Sequence, residues 1–512
     1  MRTAAFTSPL EASIYVEGLR ARPAFFVGLL LIVHAFLWTL TAWIANPTPD
    51  PNLTVGLALG REWQLGYLGL PPLAPWVLEI VYRAGGLLAA YALGPATVAL
   101  TGWLVFLFAR RIVGDRHGAL AVFLMVGVHP VAFPVGAFDS DLVQMPLVAA
   151  AVLAWWHAIV DRSRVAWLVV GVSFGMLAYA GPQGLFVLLA LLALTAATGM
   201  GRAALQKNEH QIAAVAGLFL FTLLLTPRLI WLQYHGFDGA LPTGEMTGET
   251  GAMSSALSIA GVVIVGHVGL LIMVVLASRF GATDHEIAPV FMRPPLADFA
   301  RRYVSVIALV PLPLAFAAAA YFGGRYTAGA AAPLVLYSGL FIIVLAGDAL
   351  HVHRQRQVAV AALTLLLLPL ALDLAIAFSS PWVGERGRST NWPAASAARY
   401  ITDVYRTRTG KPLEYVVGSV QTASAIAVLS RDRPHVFIDA DPARSPWASR
   451  EKLESAGGVV VWPVRGADGA PPASLAGNLP PLVAEAPLTL RWVRSGNLDF
   501  VRLGWAIVPP KP

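Results

Sequence analysis

Long apolar runs, broken at intervals by short polar connections, occupy roughly the first three-quarters of the chain. Each run approaches the ~20 residues a helix needs to cross a hydrocarbon core, where every backbone N–H and C=O must be satisfied within the segment. The pattern predicts about eleven spans, near 24–45, 86–108, 118–135, 141–160, 165–181, 183–199, 212–234, 256–278, 303–322, 331–350 and 357–379. Those between 118 and 199 are short and joined by tight Pro/Gly turns.

Past Pro381 the pattern changes. Ser389 or Asn391 can cap a helix with Pro393 in its first turn, and Ala397, Tyr400, Ile401 and Val404 make its apolar stripe up to Gly410. A strand-like EYVVG follows, then a helical run from Thr422 to Leu429, a strand-like HVFIDA, a helix through Arg450 and Leu453, and a strand-like GVVVW. After a Pro/Ala-rich linker near 466–487, LTLRWV and LDFVRLGWAIV flank Ser495-Gly496-Asn497 as a hairpin. Alternating short strands and helices predict a small α/β domain. The expected architecture is a polytopic α-helical membrane domain over 1–380 and an α/β domain over 381–512.

One stretch fits neither pattern. DPNLTVGLALGREWQLGYLGLPPLAPW, residues 50–76 of the first external loop (46–85), is too polar and too rich in Pro and Gly to span. It still carries Trp63, Tyr67, Leu68, Leu70, Leu73 and Trp76, which are costly to leave in water. It is expected to lie amphipathically on the membrane surface, with Asp50, Arg61 and Glu62 where a lipid head group arrives.

Composition agrees with a membrane protein: 57% of residues are apolar and 13% charged, against about a quarter charged in soluble domains. The net charge of +7 does not point to nucleic acid, because the arginines cluster between spans. Arg2, Arg20 and Arg22 precede the first span, Arg110, Arg111 and Arg116 follow the second, and further basic groups fall at every second connection. The intervening loops include the acidic segment around Asp238, Glu245 and Glu249. The positive-inside rule then puts the N-terminus in the cytoplasm, and the 50–76 stretch and the C-terminal domain outside. Glu11 and Glu17 ahead of a long span with no small-residue cleavage signal suggest an uncleaved anchor. The chain has no cysteine, so disulfides and Cys-bound zinc are excluded.

GREWQLGY followed by PPLAPW resembles the first external loop of family 39-type glycosyltransferases, the membrane GT-C enzymes that include protein mannosyltransferases and the lipid A aminoarabinose transferase. FDSDLVQMPL, WLVVGVSFGMLAYAGPQG, PRLIWLQYHGF and the distal KPLEYVVG and DRPHVFIDADPARSPW carry the resemblance across the chain. It implies a GT-C bundle with an outward-facing site in the cytoplasmic (inner) membrane. It also implies a polyprenyl-phosphate sugar donor, a lipid or other envelope glycan acceptor, and a divalent cation (Mg, Mn or Zn). The family's acidic motif falls here at about Asn52 and Val55, with Asp50 two residues earlier. Gly69-Leu70 stands where many relatives have a basic residue before Pro-Pro.

Glycosyl transfer needs a base for the acceptor hydroxyl and cations for the departing phosphate. Asp50, at the exit of the first span, is the leading base candidate; the plain alternative is a solvated loop carboxylate. Asp139 and Asp141 open the fourth span and could act catalytically or share a cation, or simply cap the helix. Arg61, Arg228 and Arg83 are the phosphate candidates, with snorkelling to head groups as the alternative for Arg228. Glu62, Tyr67, Pro71 and Pro72 would shape the substrate site, or be solvated and interfacial. His129, His267 and Asp373 sit inside apolar runs, and a buried acid such as Asp373 needs a partner. A non-catalytic lipid-binding relative and a transporter or flippase-like carrier are the rival functions; the second lacks paired, interrupted half-repeats.

Overall fold

The structure is a computed structural model describing residues 21–67, 69–132, 138–235, 252–278, 290–322, 328–383, 387–464, 469–472, 475 and 477–511. Leu68, the residues before the first span, and the acidic segment around Asp238, Glu245 and Glu249 lie outside the described residues. The chain forms two compact units. One takes the first span as far as Trp38, then Gly94–Val135 and Ser140–Leu370; the other combines Thr39–Leu93 and Ala371–Pro512 with the short piece ending at Asp139. The division therefore differs from a cut at 380, because the first external loop groups with the C-terminal domain.

Among the described residues seven helices are long and apolar enough to cross a membrane: Pro23–Ala45, Leu73–Met125, Ser140–Ile159, Asn208–His235, Leu257–Ala277, Asp298–Tyr321 and Gln355–Val383. Arg164–Leu177, Gln183–Ala197 and Gly329–Leu345 are apolar but shorter. Every expected span has a helix. Those expected at 86–108 and 118–135 lie along the helical stretch Leu73–Met125, with the short helix His129–Ala132 after it. Gly86 and Gly114 take φ of +66° and +79° within it. Glycine has no Cβ to clash there, and at Gly114 the stretch folds back on itself: a Cβ on Gly118 would stand 3.0 Å from the Arg110 N, and Val98 and Gly102 line one cavity with Val122 and Met125. The basic junction at Arg110–Arg116 is thus a tight turn between two passes.

Within the first unit, helices Arg164–Leu177 and Asn208–His235 meet backbone to backbone. A Cβ on Gly171 would stand 2.0 Å from the Gly217 carbonyl oxygen, and one on Gly217 2.3 Å from that of Trp167. Small residues permit such close approach where no hydrophobic effect drives helices together. Phe108, Trp156 and Tyr303 form an aromatic centre, and the buried Tyr303 hydroxyl donates to the Val152 carbonyl at 2.7 Å. His267 is satisfied by the Val263 carbonyl at 2.7 Å and Ser338 Oγ at 2.9 Å. A two-stranded antiparallel sheet pairs Val290–Met292 with Ala349–His351.

In the second unit we label α1 (Pro23–Ala45, its C-terminal part), α2 (Pro51–Gly60), α3 (Leu73–Met125, its first turns), α4 (Ala394–Thr409), α5 (Val420–Leu429) and α6 (Arg450–Ala456). The strands are β1 (Tyr415–Gly418), β2 (His435–Ile438), β3 (Gly458–Pro463), β4 (Leu488–Leu490) and β5 (Val501–Val508). They form one sheet in the order β2-β1-β3-β5-β4. β1 pairs parallel with β2 and β3, while β5 runs antiparallel to β3 and β4. All strands and helices expected here are present. β1 and β3 are buried residue after residue, as central parallel strands covered on both faces should be.

Helix α4 starts after a short turn at Ser389–Asn391 and ends at Gly410, whose φ of +68° makes the left-handed cap expected of glycine. Its buried face is Ala397, Ala398, Ile401, Thr402 and Tyr405, whereas Tyr400 is exposed. The stripe is thus rotated from the expected one. The reason is polar: Thr402 bonds Ser430 at 2.8 Å, and Tyr405 reaches back to the Ala456 carbonyl.

Candidate active site

The 50–76 stretch folds from its own local signals. Asp50 caps α2 by accepting the Asn52 N–H at 2.9 Å, and Pro51 occupies the first turn, where its missing N–H costs nothing. Leu53, Leu57 and Leu59 are buried, as is Gly56. A Cβ on Gly56 would meet Leu78 of α3 at 2.6 Å, and one on Gly60 would meet the Pro75 carbonyl oxygen at 2.2 Å. The other side of α2 packs against α5 of the α/β domain. The expectation of an amphipathic surface element is corrected in part: Leu53, Leu57, Leu59, Tyr67 and Leu73 are covered by protein, whereas Trp63 stays 45% exposed.

After α2 the chain reverses at Trp63, whose φ is +48°, and Trp63 stacks on Trp76 with ring centroids 6.5 Å apart. Tyr67 is buried. Its hydroxyl donates to the Leu59 carbonyl at 2.7 Å, and its ring meets Trp447 edge-on at 6.1 Å. Burial also pushes its phenol pKa well up. Pro71 and Pro72 are buried beside it. Of the shaping residues, these three set the loop's path by packing.

The charges of the loop are mostly committed. Glu62, with a side chain 5% exposed, takes His435 Nδ1 at 2.8 Å. Glu79, 4% exposed, accepts Arg83 Nε at 2.9 Å and Arg433 Nη2 at 2.7 Å. Arg433 also lies 4.3 Å over the Tyr82 ring. Arg61 is the exception. It is half-buried, its Nη1 is shielded from solvent, and no acceptor meets that nitrogen. Burial lowers its pKa, against the raising field of Glu62. A desolvated guanidinium nitrogen with no acceptor is the kind of group an anionic ligand completes.

Asp50 keeps one further feature besides its cap. Burial raises its pKa, while the Asn52 N–H and the nearby Arg388 pull it down. Arg388 in turn bonds Asp373 at 3.2 Å, the partner that acid needed. Glu79, Arg388, Arg433 and His435 all escaped sequence reasoning. Arg433 and His435 stand inside the DRPHVF motif, and Glu79 stands four residues before Arg83, an i,i+4 signal. Nothing in the sequence showed that these positions meet across more than 350 residues.

Asp139 belongs to the second unit, while Asp141 and Arg228 belong to the first. Asp141 sits in the first turn of helix Ser140–Ile159, where a carboxylate is favoured by the helix dipole. It packs so closely on Gly329 that a Cβ there would stand 2.8 Å from Asp141 Oδ2. Arg228 is 2% exposed, with its guanidinium 4.8 Å over the Trp231 ring, so it does not snorkel. No group of three or more His, Asp or Glu side chains able to hold a metal occurs among the described residues.

Fold and motifs together define the class: the chain resembles the membrane glycosyltransferases of the GT-C type, and its C-terminal part is an α/β domain. Residues 70–231 match the family model for dolichyl-phosphate-mannose-protein mannosyltransferase. Among solved structures, it is similar to those of ArnT from Cupriavidus metallidurans. With undecaprenyl phosphate bound, that protein gives a TM-score of 0.59 at 13% identity, covering 94% of this chain and 99% of ArnT. In the apo state it gives 0.57 at 13% identity, covering 96% and 99%. No curated protein matches the sequence significantly.

Proposed function

We propose that the protein transfers a sugar from a polyprenyl-phosphate donor to a lipid or other envelope glycan acceptor at the outer face of the cytoplasmic membrane. In this reading the N-terminus is cytoplasmic and the α/β domain extracytoplasmic, which the distribution of basic residues between spans supports. The supporting observation is Arg61, whose shielded nitrogen has no acceptor while the neighbouring carboxylates Glu62 and Glu79 are engaged elsewhere. An undecaprenyl phosphate bound to a protein of the same fold favours a phosphate as that acceptor. Arg61 would neutralise charge as the bond between the anomeric carbon and phosphate oxygen breaks. Asp50 would take the proton from the acceptor hydroxyl as the new glycosidic bond forms. Arg83, Arg228, Asp139 and Asp141 are secondary candidates in the same chemistry.

The test is transfer from defined polyprenyl-phosphate sugars to envelope acceptors by the purified protein, compared with Asp50→Asn and Arg61→Gln. Loss of turnover in Asp50→Asn with donor binding kept, and weakened donor binding in Arg61→Gln, is the expected pair. Chelation in the same assay reads any dependence on Mg, Mn or Zn. A second reading, a non-catalytic lipid-binding relative, is favoured by the cap that Asp50 makes to Asn52. It predicts donor binding without turnover for the unaltered chain.

A further inference from the structure

The first unit contains a cavity of about 590 Å³ with no part in the chemistry above. Its wall is apolar, made by Phe123, Met273, Ile342, Ile343 and Val358 among others. Its rim is not. His351 and His353 line it with rings 6.4 Å apart, and His353 Nδ1 is shielded from solvent with no partner.

The frame around this rim is fixed. His351 ends a strand paired with Val290–Met292. Just outside that pairing, the buried Arg293 ties the two connections together by bonding the carboxylate and the backbone carbonyl of Asp348, each at 3.0 Å. The His353 N–H donates to the Ala277 carbonyl at 2.9 Å. Arg354 then takes φ +45°, an uncommon conformation for a residue with a Cβ, and helix Gln355–Val383 begins. The first N–H groups of that helix have no intrahelical acceptors and carry its positive end.

An apolar chamber and two imidazoles meet where helix Gln355–Val383 begins, with Arg354 and Arg356 next to His353 in the sequence. From this convergence we infer that the cavity binds one acyl chain of an anionic phospholipid, with the phosphate held by His353, Arg354 and the N-terminal turn of Gln355–Val383. Charge complementarity selects the head group, since basic pockets at the membrane boundary recognise anionic lipid heads. Size selects the chain: the volume lies in the ordinary range for one small ligand, which suits a single acyl chain and not a whole polyprenyl tail. The site is distinct from Arg61 and Asp50 and does not depend on the proposed transfer reaction.

The test uses the full chain in nanodiscs of neutral lipid containing a trace of photoactivatable lipid. Three head-and-tail types are compared: an anionic phospholipid, a zwitterionic one with the same chains, and a polyprenyl phosphate. The expected result is labelling of 273–278 and 342–358 by the anionic phospholipid alone. Arg354→Gln with His353→Gln should weaken it by at least about tenfold, the effect of ~1.4 kcal/mol. Ala277→Phe with Ala346→Phe, which fill the chamber, should abolish it. Equal labelling by the zwitterionic lipid, preference for the polyprenyl phosphate, or labelling that survives in the filled variant overturns the assignment. If the filled variant does not fold, shortening the acyl chain of the probe decides: labelling independent of chain length is equally fatal.

Discussion

The ion pairs linking the first external loop to the α/β domain should govern how firmly that loop is held, and Arg433→Met isolates their main member. The substitution keeps most of the side-chain volume and removes the charge. It leaves Glu79, 4% exposed, with only Arg83, whose own side chain is 59% exposed. Removing one partner of a buried pair costs about 3–5 kcal/mol, because the other charge stays desolvated. Arg433 is itself 19% exposed, and Arg83 compensates in part, so ~2–3 kcal/mol is expected here. Local opening should become correspondingly easier, and amide exchange over 51–60 should rise roughly 30- to 140-fold. Hydrogen–deuterium exchange on the protein in nanodiscs reads this segment directly. Glu79→Gln should do less harm, since glutamine still accepts a hydrogen bond and Arg433 can turn toward water. The double variant should recover most of the loss, because neither charge is then stranded. Unchanged protection of 51–60 in Arg433→Met, or a double variant as damaged as the sum of the singles, would show that the pair does not hold the loop.

Three further outcomes follow from the same geometry. If Asp50 is the base, transfer should fall on its acid side above the usual carboxylate range, since burial raises its pKa; Arg388→Gln should move that limb higher by removing a favourable charge, as a pH–rate profile will show. The linked stability runs the other way: a raised folded pKa gives a contribution present below the unfolded value and lost as pH rises through the folded one. Gly60→Ala should cost about 1–3 kcal/mol by overpacking, because the Pro75 backbone in its way cannot step aside as a side chain could, and thermal unfolding in detergent measures it. Asp432 is buried in the α/β domain; burial pushes its pKa up, but Arg406 and the Leu413 N–H outweigh this and hold it down. Its contribution is therefore present above the unfolded pKa and lost as pH falls through the folded one, and Asp432→Ala should flatten the acid limb of the unfolding curve.

The helices were legible because bilayer length and apolar runs leave little choice, and the α/β domain because EYVVG, HVFIDA and GVVVW alternate with capped helical stretches. Arg110–Arg116 reads as a connection between spans, and the chain does turn there; only the tightness of the turn, made by Gly114 at positive φ, was hidden. The α4 face was misplaced because hydropathy ranks Tyr400 above Thr402, while a bond to Ser430 decides which is buried. The site was legible only in its parts. Arg61, Asp50 and Glu62 stand in one short motif, but a sequence cannot show that Glu62 is taken by His435 or that Arg61 is left over. Such facts depend on pairings between distant positions, which local pattern does not encode.

Those distant pairings also set a timetable. Glu79 waits for a residue 354 positions later, and the carbonyls of Ile44 and Ala45 at the end of the first span wait for Arg494, about 450 positions on. At 5–20 residues per second, synthesis alone separates Glu79 from Arg433 by roughly 20–70 s. During that interval the loop has emerged without its counter-charges, and Leu53, Leu57 and Tyr67 lack the domain that will cover them. The nascent chain therefore passes through a long stage in which its first external loop is open to holding factors, proteases and wrong partners. Truncation anywhere before Arg433 leaves it there permanently.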